Sequence, residues 1–259
     1  MTRSASKAPP LAALVTGGAK RVGLAITRAL AEAGYAVAVH ANRSLAEAEA
    51  VCAEIREKGG RAAAVEGDLV NHEQVLKIVP AAVAALGPLT LLVNNASMFQ
   101  PDDIATLSRD LFDRHMAVHV RAPLFLAQAF AAQAPADANS SIINIVDQRV
   151  MKPTPLFLSY ALSKNGLNAA TTMLAQALAP KVRVNAIAPG PTLPSSRQSP
   201  EEFARQTGNL PLGHGTSPQE IAQAALFLAQ AVSVTGMTIA VDGGQHIAWQ
   251  TPDIAGIHE

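Results

Sequence analysis

LVTGGAKRVGLA, residues 14–25, sets an apolar strand against a glycine-bearing turn and the start of a helix. Gly17, Gly18 and Gly23 bracket that turn behind Thr16. Glycines there let backbone N–H groups approach a pyrophosphate, and a helix N-terminus favours its charge. Arg21 stands where a third glycine is the usual choice, with Lys20 and Val22 beside it. A glycine turn alone also fits an ordinary tight β–α connection. Its place after the first strand adds weight, because α/β chains bind dinucleotides there.

Outward from this turn, strands and helices alternate. LAALVT (11–16), YAVAVH (35–40), RAAAVEGD (61–68), LTLLVNN (89–95), SIINIV (141–146), VRVNAIA (182–188) and MTIAVDGG (237–244) read as strands. Helical patterns follow the first turn to about Ala33, then cover 44–60, 71–87, 108–134, 156–179 and 217–231. Asn71 is an expected N-cap, and Pro80 an expected kink. The strands are apolar along their whole length, as in a sheet covered on both faces. The expectation is one Rossmann-type doubly wound parallel sheet of about seven strands, with right-handed crossovers and helices on both faces. The single domain spans 11–259, and residues 1–10 form a short disordered arm without the apolar core of a secretion signal. Residues 191–215 are too long and irregular for a simple connection and read as a substrate-covering loop.

Composition excludes several function classes. Of 259 residues, 49% are apolar and 15% charged, so a sizeable core is available. The formal net charge is zero, which argues against a global grip on nucleic acid or an anionic membrane. No apolar run reaches transmembrane length. Cys52 is the one cysteine, so neither an internal disulfide nor a cysteine metal cluster is expected, and a cytoplasmic setting fits. No metal site is expected.

The end of the second strand bears on which dinucleotide is bound. An NAD site usually places an acid there for the ribose hydroxyls. VHANRS (39–44) has none; His40, Asn42, Arg43 and Ser44 offer a cation and hydrogen-bond donors instead. Arg43 suits a phosphate on the adenosine ribose, with Lys20 and Arg21 nearby, which points to NADPH. A second constellation is SYALSK (159–164), where Tyr160 and Lys164 share a helix face. A neighbouring ammonium is expected to lower the phenol's pKa and fit it for proton transfer beside a hydride donor.

In this order, TGGAKRVG (16–23), GDL (67–69), LVNNAS (92–97), YALSK (160–164), RVNAIAPGP (183–191) and VTGMTIAVDGG (234–244) resemble the short-chain dehydrogenase/reductase family over nearly the full length. The resemblance implies that Asp68 contacts adenine with Leu69 alongside. It implies that Asn94, Asn95, Ala96 and Ser97 line the cofactor, that Lys164 also holds the nicotinamide ribose, and that Pro189 and Gly190 lie near the nicotinamide. The sequence departs from the common pattern at Arg21, at Ser97, at His119 in the register of a helix asparagine, and at Asp147. Asp147 stands thirteen residues before Tyr160, where the family's catalytic serine belongs.

These departures are similar to the pteridine reductase branch, including dihydromonapterin or dihydrofolate reductases. They imply a pterin-like substrate bordered by Arg21, Ser97, Phe99, Asp147 and Tyr160, with Phe99 stacking on the flat ring. Asp147 and Tyr160 would relay the proton that C=N reduction needs. Arg21 would serve both the pyrophosphate and the substrate's polar edge. Met98, Met151 and Phe157 are candidate pocket lining. Blander roles are a polar loop residue for Asp147, a core or lid aromatic for Phe99, a packed histidine for His119, a turn residue for Asp242 and an inert thiol for Cys52. Family likeness also implies a homotetramer paired through the 108–134 and 156–178 helices. The alternatives are an NADPH-dependent carbonyl reductase of 3-oxoacyl or polyol-type substrates, and a non-catalytic nucleotide sensor.

Overall fold

The computed structural model describes residues 11–195 and 197–251; the expected N-terminal arm lies outside them. Strands β1 (Ala12–Val15), β2 (Ala36–Ala41), β3 (Ala62–Glu66), β4 (Leu91–Asn94), β5 (Ser140–Ile145), β6 (Val182–Pro189) and β7 (Thr238–Val241) form one sheet. Its order is β3-β2-β1-β4-β5-β6-β7, and every pairing is parallel. The order reverses between β1 and β4, and ligands of such sheets collect outside the strand ends at that switch.

Alternate residues of each strand enter different cores, as a period of two requires. Ala13, Val15, Val37 and Val39 pack in one layer with Ile26 and Leu30 of α1 (Arg21–Glu32), α2 (Leu45–Glu57) and α8 (Pro218–Gln230). Ala12, Leu14, Ala36 and Ala38 pack in the other with α3 (His72–Leu86) and α5 (Ala122–Gln133). This double burial is why the strands show no polar alternation. Asn71 caps α3 by accepting from the Gln74 amide, and the helix continues through an exposed Pro80.

The long pattern at 108–134 comes out as α4 (Arg109–Met116), a π-helical turn at Ala117–Arg121, and α5. Pro123 has no N–H to give the carbonyl of His119 four residues back, and the wider turn passes the proline without breaking the helix. Between β5 and α8 lie α6 (Leu158–Leu178) and the short α7 (Pro200–Gly208), the latter set by a Ser199–Glu202 capping box. β7 ends before Asp242, whose carboxylate accepts from Gly244 N and His246 N and turns the chain.

Candidate active site

The glycine turn is held from below. Thr16 Oγ1 donates to Val93 O and accepts from Asn95 N (2.9 Å) and Ala96 N (3.0 Å), drawing β1 and β4 together at the switch. Asn95 Nδ2 donates to Thr16 O and Gly17 O at 2.9 and 3.2 Å. Gly17 lies in the left-handed region, with φ of 62°. Gly23 is fixed by space: a Cβ there would sit 2.1 Å from Gly17 O.

His40 corrects an expectation. Its Nδ1 accepts from Gly17 N at 3.2 Å, and its Nε2 lies 3.0 Å from Gly67 O. Both ring nitrogens are committed, the ring is buried, and desolvation holds its pKa down at about 4. His40 is therefore a neutral brace under the turn and contributes no cation. Asn94 is likewise displaced from the role implied for it. It is buried, with Nδ2 donating to Asn144 Oδ1, and Asn144 in turn donates to Thr171 on α6.

Arg21 takes the glycine position with a left-handed φ of 51°. This is an uncommon conformation for a side-chain-bearing residue. Its guanidinium donates to Leu193 O and Pro194 O at 3.3 Å, joining the phosphate turn to the start of the 191–215 loop.

Above the turn runs a cleft of about 630 Å³. Gly17, Lys20, Arg21, Val22 and Gly23 form its floor; His40, Asn42, Arg43 and Ser44 one end; Asp68 and Leu69 its side. Asn95, Ala96 and Ser97 lead to the far end, where Asp147, Tyr160, Lys164, Pro189 and Gly190 meet. Lys20 pairs with Glu47 at 2.6 Å, and Arg43 is exposed at the mouth. Arg114 and Val118 also border the cleft; no motif in the sequence pointed to them.

The start of α6 is set by a residue outside any motif. Buried Asp102 accepts from Ser159 N through both carboxylate oxygens (3.1 and 3.3 Å). The helix thus begins at Leu158, after Phe157 in a left-handed conformation, and Tyr160 and Lys164 point inward. Tyr160 OH donates to Asp147 Oδ2 at 2.8 Å. Arg149 pairs with the same carboxylate at 3.1 Å. Lys164 Nζ donates to Ile145 O at 2.7 Å.

The phenol's pKa is pushed well above its ordinary value, first by burial and then by the Asp147 charge and hydrogen bond; Arg149 and Ser97 oppose this. The expected lowering by Lys164 is overturned, because burial and, after it, the Asp147 carboxylate raise the phenol's pKa. Burial brings Lys164 down to about 8, with Asp147 opposing. His119 sits in the π turn. It contacts Ser97 Oγ at 3.0 Å and Ser163 Oγ at 2.8 Å, and its Nε2 accepts from Met98 N. Burial keeps it neutral.

Past Asp147 and Tyr160 a second cavity of about 700 Å³ opens under the 191–215 loop. Phe99 and Phe157 stack in its wall, 4.3 Å between ring centres and 8° from parallel, and Phe99 meets Tyr160 edge-on at 4.8 Å. Phe157 and Met98 border one or other cavity, whereas Met151 borders neither. Cys52 is buried, its thiol pushed up to about 11 mainly by desolvation, which leaves it unreactive. Among the described residues no helix is long and apolar enough to cross a membrane.

Comparison with known proteins places this arrangement. A family profile described as Enoyl-(Acyl carrier protein) reductase matches residues 17–246. The crystal structure of FolM alternative dihydrofolate reductase 1 from Brucella canis, complexed with NADP, is 50% identical with a TM-score of 0.91, covering 94% of this chain and 97% of that one. A blue fluorescent protein from a metagenomic library, in complex with NADPH, is 33% identical with a TM-score of 0.84 over 91% of this chain and 97% of its own. An uncharacterized oxidoreductase of Methylorubrum extorquens is 36% identical over 249 residues, 92% of this chain and 99% of that protein. Profile, relatives and doubly wound fold agree, and the chain belongs to the short-chain dehydrogenase/reductase family of oxidoreductases.

Proposed function

We propose that the protein is an NADPH-dependent reductase of a pterin-like substrate, a dihydropterin or dihydrofolate. The observation that carries this reading is the carboxylate of Asp147 on the Tyr160 hydroxyl, with Arg149 on its other side. A carbonyl substrate needs a second donor at that point. A carboxylate accepts, and so suits a heteroaromatic that presents N–H groups there. The 50% identical Brucella canis protein, an alternative dihydrofolate reductase complexed with NADP, supports the same reading.

The cleft suits NADPH. Gly23 and Gly190 border the cleft where Gly17 O and Asp242 leave no room for a Cβ, so close backbone packing fixes the cleft's walls there. Arg43 supplies positive charge at the adenosine end, whereas Lys20 is paired with Glu47. The nicotinamide supplies hydride when bound. Tyr160 keeps its proton on the phenol oxygen and delivers it to substrate nitrogen. A buried phenolate left beside Asp147 is unfavourable, so Tyr160 takes up a replacement proton from solvent, with Asp147 as the relay. Lys164 orients the nicotinamide ribose, Phe99 and Phe157 provide the flat wall, and Arg21 stands between the two cavities, tying the glycine turn to the 191–215 loop.

The deciding experiment is NADPH consumption by the purified protein. Dihydrobiopterin, dihydromonapterin and dihydrofolate are tested beside ketones and oxoacyl thioesters. Turnover on a pterin is expected; turnover on carbonyls alone overturns the reading in favour of a carbonyl reductase. Exposed Leu162 and Met173 on α6 support assembly as a homotetramer, which sedimentation tests.

Two further results are expected. Arg43→Ala weakens NADPH binding about tenfold or more, the worth of a charge-assisted phosphate contact, and leaves NADH binding within a factor of about two. Equal losses for both cofactors would remove the 2′-phosphate role. A lysine is charged below its pKa, so kcat/KM for NADPH falls as pH rises through about 8. A profile flat from pH 7 to about 9.5 would show that the Lys164 charge does not matter to cofactor capture.

A further inference from the structure

The cavity beneath the 191–215 loop has an unbalanced charge. Four guanidiniums border it, those of Arg21, Arg149, Arg197 and Arg205, against the carboxylates of Asp147 and Glu202. Arg149 is paired with Asp147, and Arg21 is spent on the carbonyls of Leu193 and Pro194. Glu202 accepts from Ser199 N at 2.9 Å as part of the α7 capping box. Among the described residues, neither Arg197 nor Arg205 forms a salt bridge.

The fold brings these two cations to one wall. Gln198 Nε2 donates to Gln206 Oε1 at 2.8 Å, tying the loop to α7 one residue beyond each arginine. Arg197 is also anchored inward: its Nη2 donates to Phe99 O at 3.3 Å, and its guanidinium lies 5.3 Å from the Phe99 ring centre. The cationic wall is thus continuous with the aromatic wall that ends at Tyr160. Like charges held on one wall repel, and an anion between them relieves that repulsion.

We propose that Arg197 and Arg205 form a subsite for an acidic group, carboxylate or phosphate, on the side chain of the substrate. The inference rests on the pterin reading, with the ring at Asp147 and Tyr160 and the tail running past Phe99 to α7. Guanidinium forks match both oxyanions. The subsite lies away from the reacting atoms, so it acts on KM and sets preference among substrates that share one ring.

The test compares kcat/KM of the full-length protein on dihydrofolate, on a dihydropterin phosphorylated on its side chain, and on dihydrobiopterin, whose side chain is neutral. Arg205→Gln should lower the acidic-to-neutral ratio about five- to tenfold, chiefly through KM, and Arg205→Lys should restore most of it. In the wild type the ratio should fall as salt rises from about 0.05 to 0.5 M. A loss for dihydrofolate assigns a carboxylate tail, and a loss for the phosphorylated substrate alone assigns a phosphate. An unchanged ratio in Arg205→Gln and in Arg197→Gln/Arg205→Gln overturns the subsite and leaves pterin reduction standing. No turnover on any pterin overturns both.

Discussion

Asp147→Asn loses about a hundredfold or more in kcat on a dihydropterin and keeps its NADPH affinity within about twofold. The substitution preserves shape, and the amide oxygen still accepts from Tyr160 OH, so a merely structural Asp147 would survive it. What disappears is the charge that raises the phenol's pKa and pairs with Arg149. A neutral amide cannot take up and hand on a proton, so the phenolate left after transfer loses its relay from solvent. Two readouts separate this from general damage. Fluorescence titration reports NADPH binding, and single-turnover kinetics report the chemical step. Asp147→Ser carries the complementary expectation: it restores a hydroxyl donor, so pterin turnover falls while reduction of simple ketones rises. A kcat within about threefold of wild type in Asp147→Asn would remove the residue from the proton path.

Gly23→Ala is expected to abolish measurable NADPH binding, with Kd up about a hundredfold or more and stability down about 1–3 kcal/mol. A Cβ at this position would stand 2.1 Å from Gly17 O and 2.5 Å from Asn95 Nδ2. Neither neighbour can yield easily. Gly17 is backbone, held by His40 and Asn95, and the Asn95 amide is spent on Thr16 O and Gly17 O. The turn must deform, and with it the N–H groups that would meet the pyrophosphate. Gly208→Ala is the control, since nothing lies within 4 Å of its added Cβ. Thermal melts with and without NADPH give both quantities. A Gly23→Ala protein with unaltered ligand-induced stabilisation would show that the turn tolerates the methyl group.

The fold was legible because its signals are local. Apolar strands, Gly34 after α1 and Asn71 before α3 act within a few residues of themselves. Tyr160, Lys164 and Asp147 were legible through spacing and family likeness, and the structure brings all three to one point. The rest depends on approaches that spacing does not encode. Asp102 reaches the start of α6 across 57 residues, and His40 meets Gly67 across 27. Whether His40 is a cation or a neutral brace is decided by burial and by those two backbone partners. The phenol's pKa failed as an expectation for the same reason: a lysine four residues away is visible in sequence, while the desolvation that outweighs it is not. Arg149 sits two residues from Asp147 with no pattern to mark it as that carboxylate's counter-ion.

The π turn at Ala117–Arg121 has a consequence for how this segment tolerates change. It holds one residue more than an α-helix needs over the same span, so α4 and α5 are out of phase with each other. Removing one residue there would leave a regular α-helical turn over the same span, with α4 and α5 near their places and the bulge gone. His119, inside the bulge, would lose the position that sets it against Ser97 and Ser163. Substitutions within 117–121 alter chemistry at one position, whereas a single deletion would remove the bulge itself. The length of that segment, more than its composition, seats His119 beneath Ser97.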